Sequence, residues 1–207
     1  MSIEFLFVSF CLALLPGPDI LFVLAQSVTR GFRPAIAVSL GLFSGLFVHT
    51  AAVALGVAAL VAASPVLFKV IKILGALYLV FLGISALRAA PAPAAVGAPI
   101  ANSQEPFAFG KFYRRGIIMN LLNPKVIIFF LSFLPGFVPA GSQHIGWQLV
   151  ELGLGFALVS LVVFGLISVF GGWLNKRFHI ARYSASRPFA WITALLFWGI
   201  AGWILLG

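Results

Sequence analysis

Acid is scarce in this chain: only four residues are Asp or Glu, three are His and one is Cys. So few ligating and nucleophilic side chains exclude much of the chemistry open to a protein of this size. Cys11 stands alone in an apolar stretch, so neither a disulfide framework nor a zinc site is available. A metal-ion carrier would want several Asp, His or Cys ligands within its apolar segments. An aspartyl protease needs a pair of carboxylates, whereas Asp19 is the one acid well inside an apolar run. Ser44 and His49 are the nearest nucleophile and base, but five positions apart on one helix they face different sides.

What the chain does have is apolar mass. It is 62% hydrophobic and 8% charged, with a mean hydropathy of +1.16, more than a water-soluble core of this length accommodates. In lipid every backbone polar group must be satisfied internally, and long unbroken apolar runs rather than alternating ones select helices over a barrel. The expected fold class is therefore an all-α integral membrane protein. Apolar windows fall at about 3 to 28, 35 to 62, 65 to 88, 116 to 138, 147 to 173 and 188 to 206, each roughly the length of a span. The first lacks the basic flank of a cleaved signal peptide, since Glu4 is the only charge before it, and it is read as retained.

The polar stretch at about 89 to 112 contains Pro91, Pro93, Gly97, Pro99 and Pro106 and has no apolar period. It reads as a flexible linker between two three-helix halves, about 1 to 88 and 113 to 207. The net charge of +9 points to membrane topology rather than to nucleic acid. Arg30 and Arg33, then Arg88, Lys111, Arg114 and Arg115, then Lys176, Arg177, Arg182 and Arg187 all flank alternate connections, with only Lys69 and Lys72 on the opposite side. The positive-inside rule puts the basic loops in the cytoplasm and both termini outside. With an odd number of helices in each half, the halves insert in opposite orientations, the inverted-repeat plan of many secondary transporters.

Two interruptions carry the chemistry. The first span is broken at Leu15-Pro16-Gly17-Pro18-Asp19. Its flanks are each too short to cross a bilayer, so the break must lie near mid-depth. The prolines remove amide donors and free carbonyls, and Gly17 is expected to supply backbone angles closed to other residues. Asp19 then opens a new half-helix, whose exposed amides support a carboxylate or capture a substrate anion. The fourth span is interrupted at Asn120-Leu121-Leu122-Asn123-Pro124-Lys125. An isolated charge at the bilayer centre costs about 2.5 to 3.5 kcal/mol, which makes Asp19 and Lys125 candidate partners. The plainer alternative is that kinks and a buried ion pair only hold helices together. Paired breaks in corresponding spans favour a transport site, with Pro16, Gly17, Pro18, Asp19, Asn120, Asn123, Pro124 and Lys125 around it.

Other residues weigh less. Gly41 with Gly45, and Gly75 with Gly83 around Tyr78, read first as helix packing within the bundle or at a dimer contact. Tyr78 is the candidate from that group for reaching the cavity. His49 is either a proton relay or a hydrogen-bonded packing residue. Glu151 reads as an interfacial acid, and Trp147, Trp173 and Trp203 fit an interfacial belt.

In order along the chain, Pro16-Gly17-Pro18-Asp19, the glycine spacing of the second span, Gly75 to Gly83 around Tyr78, and Asn123-Pro124-Lys125 leading to Phe133-Leu134-Pro135 resemble the lysine exporter and homoserine/threonine resistance (LysE/RhtB) family. That resemblance implies a proton-motive-force-dependent exporter of amino acids or their derivatives, with six helices and a homodimeric state, in the bacterial cytoplasmic membrane and without a cofactor. Cargo varies within the family. With Asp19 the only central acid and Lys125 offsetting it, a neutral amino acid fits better than a dicationic one.

Overall fold

The computed structural model describes residues 1–15, 17–88, 107–139, 142–178 and 187–206. Pro16 and the linker up to residue 106 therefore lie outside the described residues. Helix α1, Ile3–Leu14, starts where the Ser2 hydroxyl accepts the Phe5 N–H at 3.2 Å, satisfying one of the amides a helix start leaves bare. Helix α2, Pro18–Arg30, has proline at its first position, where no amide donor is needed. It ends at Gly31, whose φ of 85° lies in the left-handed region that favours glycine, and α3, Phe32–Ala63, follows at once. Helix α4 spans Pro65–Arg88.

Helix α5, Phe109–Leu121, begins inside the stretch expected to be linker up to residue 112. Lys111 and its neighbours are thus helical, because Phe112, wholly buried, and half-buried Tyr113 give this polar segment a face to bury. After a two-residue break comes α6, Pro124–Ile128, which runs on through a π turn, Phe129–Phe133, and a 3-10 turn, Leu134–Phe137. Pro135 has no amide to give the carbonyl four residues back, and the Leu134 N–H bonds instead to the Phe129 carbonyl, widening the turn. Helices α7, Ile145–Phe178, and α8, Arg187–Leu206, complete the described chain, which is helical with no strand among the described residues.

Among the described residues, three helices are long and apolar enough to cross a membrane, through Phe32–Gly56, Lys69–Arg88 and Ile145–Trp173. The two bent pairs raise that to five if each is one span: α1 and α2 meet at 59°, and α5 meets the Pro124–Phe137 segment at 49°. The last window is helical as expected, but its apolar part, Ala190–Leu206, is shorter than the others.

Long helix α3 packs mainly against α5 and α7, α4 lies along α8, and α1 and α2 both rest on α7. The exterior is apolar. Leu158, Val162, Leu166 and Val169 form one exposed face of α7, with exposed Trp147 and Trp173 near its ends. Those two tryptophans are about 39 Å apart along the helix, close to the full thickness of a bilayer with its interfaces. Inside, one cluster is rich in aromatics, including Phe129, Phe130, Phe133 and Phe156. The second contains Val23, Val38, Leu42, Phe112 and Phe164.

Candidate functional site

Where the two clusters meet, the breaks come together. Asp19, in the first turn of α2, and Lys125, in the first turn of α6, are 2% and 4% exposed, and Lys125 Nζ lies 3.3 Å from Asp19 Oδ1. The same ammonium donates to the Leu15 carbonyl at 3.2 Å and to the Leu12 carbonyl at 3.4 Å. Leu12 is four residues before Pro16, which has no amide to offer its carbonyl. The lysine of one break thus satisfies acceptors freed by the other. Its own position is fixed by the start of α6: Pro124 takes the first helical place, and Asn123 Oδ1 accepts the Lys125 N–H at 3.0 Å. Asp19 gains from standing at the positive end of the α2 dipole.

The expectation for Gly17 needs correction. Its φ of −151° and ψ of 174° are extended backbone that any residue adopts. Space is what matters, since a Cβ there would lie 2.7 Å from Asp19 Oδ1 and 3.0 Å from Lys125 Nζ. Glycine lets the backbone sit directly on the ion pair.

Beside the pair is a cavity of about 10 Å³, walled by Leu12, Ala13, Leu46, Val126, Phe156 and Phe164 and by the polar residues Asp19, Lys125, Asn120 and Ser160. It holds about one water, far less than an amino acid. Asn120 and Ser160 are each 1% exposed, and neither Asn120 Oδ1 nor Ser160 Oγ has a hydrogen-bond partner. Ser160 is unlike most other helical hydroxyls. Thr29, Ser39, Ser44, Thr50 and Ser168 all donate back to the carbonyl four residues earlier, a bond open to any helical serine.

Residues 10–207 match the LysE type translocator family. The chain belongs to that family. An uncharacterized membrane protein of Pseudomonas aeruginosa is 36% identical to this translocator over 183 residues, 84% of this chain and 82% of the relative. Leucine efflux proteins of Salmonella typhimurium and Salmonella choleraesuis are each 32% identical over 164 residues, 79% of this chain and 76% of theirs. No solved structure matches. Family and apolar helices together make the chain a multi-pass membrane translocator rather than an enzyme.

The remaining candidate residues of this LysE-type translocator divide by position. Pro18 and Pro124 each open the half-helix that follows a break. Half-buried His49 donates from Nε2 to the Asn120 carbonyl at 3.2 Å, with its ring 5.6 Å from that of Phe130. It therefore touches a cavity residue without lining the cavity. Tyr78 is half-buried on α4 against Phe81, with ring centroids 6.0 Å apart, and is not brought to the Asp19–Lys125 site. The glycines sit at close helix contacts inside the chain. A Cβ on Gly41 would overlap the Tyr113 carbonyl, one on Gly45 would lie 2.6 Å from Asn120 Oδ1, one on Gly75 would overlap Ser132, and one on Gly83 would overlap the Trp198 ring.

Sequence reasoning missed Ser160, Phe156 and Phe164, and it missed Gly116, whose Cα faces Gly41 where α3 crosses α5. A lone serine in Val159-Ser160-Leu161 gave only a weak signal. The second polar cluster was missed as well: Ser27 Oγ donates to the Ser168 carbonyl at 3.0 Å, and Ser168 Oγ lies 2.9 Å from Ser39 Oγ, tying α2, α3 and α7 together.

Proposed function

We propose that this chain exports a neutral, apolar amino acid from the bacterial cytoplasm by alternating access, in exchange for protons. The reading rests on one observation above all: the Asp19–Lys125 pair, buried between two broken helices, adjoins a cavity holding two unpartnered acceptors. A zwitterion offers the same two charges that the residues now offer each other. On loading, the pair parts, the cargo ammonium goes to Asp19 with Asn120 Oδ1 and Ser160 Oγ, and the cargo carboxylate goes to Lys125. The aliphatic side chain lies against Leu46, Phe156 and Phe164. A dicationic cargo would need a second acid, and the other cavity-lining residues supply none. The leucine efflux relatives agree with that choice.

A cavity this small means the bundle must open to admit cargo, first to one side and then to the other. Opposed three-helix halves, six spans in all, are supported by the paired breaks and by two contacts. Arg30 stands 5.4 Å from the Phe112 ring while Asp19 meets Lys125, so α2 and the α5–α6 segment run antiparallel. The Met1 amino group lies 3.4 Å from Glu151 near the start of α7, in keeping with one shared face, taken as the outer one. Coupling follows from competition at one carboxylate: facing out, Asp19 takes a proton as the cargo ammonium leaves; facing in, it gives up that proton and takes the next ammonium.

Proteoliposomes preloaded with a mixed set of labelled amino acids test this under an imposed pH gradient. Selective efflux by the wild type, lost in Asp19→Asn with the protein still folded in the membrane, is the expected result. Retained gradient-driven export by Asp19→Asn would remove Asp19 from coupling, and no efflux of any amino acid would overturn the transport reading.

A further inference from the structure

Gln26 is wholly buried, at 0% exposure, yet neither its amide nitrogen nor its amide oxygen has a hydrogen-bond partner. Burying a carboxamide this way forfeits both its hydrogen bonds to water, and most native proteins avoid it. Beside it on α2, Val23, Leu24 and Ala25 are buried and apolar.

Position supplies the reason. Asp19, Gln26 and Arg30 fall within about 40° of one another around α2, with Gln26 roughly 10 Å along the axis from Asp19. The two ends of that stripe both meet the second half of the chain: Asp19 pairs with Lys125, and Arg30 stands over the buried ring of Phe112 on α5, as does Arg115 at 5.7 Å. Gln26 therefore lies between them on the α2 face that meets the first span of the second half. It lies nearer the basic end of the bundle than the central ion pair, four residues from Arg30 and seven from Asp19.

We propose that Gln26 is a staging subsite for a zwitterionic amino acid on its way between the basic end and the Asp19–Lys125 site. A carboxamide carries one donor group and one acceptor, so it meets a carboxylate with its N–H and an ammonium with its carbonyl, binding both ends of the cargo without holding either by charge. That suits a group which must be passed and then left. When α5 moves away from α2 on opening, the orphaned amide gains the partners it lacks in the closed bundle. The inference rests on the amino-acid export reading and adds to it a second stop on the path.

The test compares wild type, Gln26→Leu and Gln26→Asn in proteoliposomes loaded with whichever labelled amino acid the wild type exports. Equilibrium binding of that amino acid and melting in detergent, followed by tryptophan fluorescence, accompany the flux. Gln26→Leu is expected to melt at or above the wild-type temperature, to bind cargo within about twofold of wild type, and to export it at least about tenfold more slowly. Gln26→Asn, which keeps the amide, should recover part of the rate. A lower melting temperature for Gln26→Leu, or a wild-type export rate, overturns the subsite. Absence of export by the wild type itself would instead overturn the function on which the subsite rests.

Discussion

Lys125 and Asp19 stand 3.3 Å apart, each in the first turn of a half-helix from a different half of the chain, and both are buried. Each lies beyond a proline-made break, so the contact joins the two places where the helical hydrogen-bond ladder is interrupted. The lysine also holds two carbonyls of the first break. Any opening of the site must part these groups, and their energetics should be visible in stability as well as in transport.

Removing one member of the pair strands the other. Lys125→Met should destabilise the protein by about 3 to 5 kcal/mol, whereas Asp19→Asn combined with Lys125→Met should recover much of that loss because no buried charge remains. Export should be absent from both. Detergent melting curves and efflux measured on the same preparations check this, and a double variant no more stable than Lys125→Met would contradict the pairing.

Two glycines near the ends of α2 should respond in opposite ways. Gly17→Ala puts a methyl group against Asp19 and Lys125 and should abolish most export while the protein stays folded. Gly31→Ala meets no atom within 4 Å but holds a φ of 85° with an extended ψ of −176°, so it should cost roughly 1 to 3 kcal/mol of stability and leave cargo selectivity unchanged.

Serines that look alike in the sequence should separate in the same assay. Ser168→Ala breaks the ties to Ser39 and to the Phe164 carbonyl and should destabilise by about 1 kcal/mol. Ser160→Ala removes a hydroxyl without a partner and should leave melting unchanged or slightly improved. Its effect should appear as a higher cargo KM, read from efflux at graded internal concentrations.

The crossing of α3 over α5 depends on Gly41 and Gly116, whose Cα atoms face each other without side chains between them. Gly41→Ala or Gly116→Ala should cost about 1 to 3 kcal/mol through overpacking. Gly56→Ala, with nothing within 4 Å of the added methyl, should instead gain roughly 0.5 to 1 kcal/mol from helix propensity. Yields of folded protein and melting temperatures decide between them.

Local chemistry made part of this design legible in the sequence. Proline lacks an amide wherever it stands, so the breaks at Pro16 to Asp19 and Asn120 to Lys125 could be read directly, and the cost of a lone charge in lipid pointed Asp19 towards Lys125. Composition pointed to lipid as the solvent, and long unbroken apolar runs determined the helical class. Only the tertiary structure decided which helix faces meet. A helix offers every side chain a direction but does not name its neighbour, so Gly41 meeting Gly116, Ser160 reaching the cavity while Tyr78 does not, and Gln26 lying buried without a partner all depend on packing between segments far apart in the chain. Gly17 shows the difference at one residue: sequence suggested unusual backbone angles, whereas the fold required only the room a missing side chain leaves beside an ion pair.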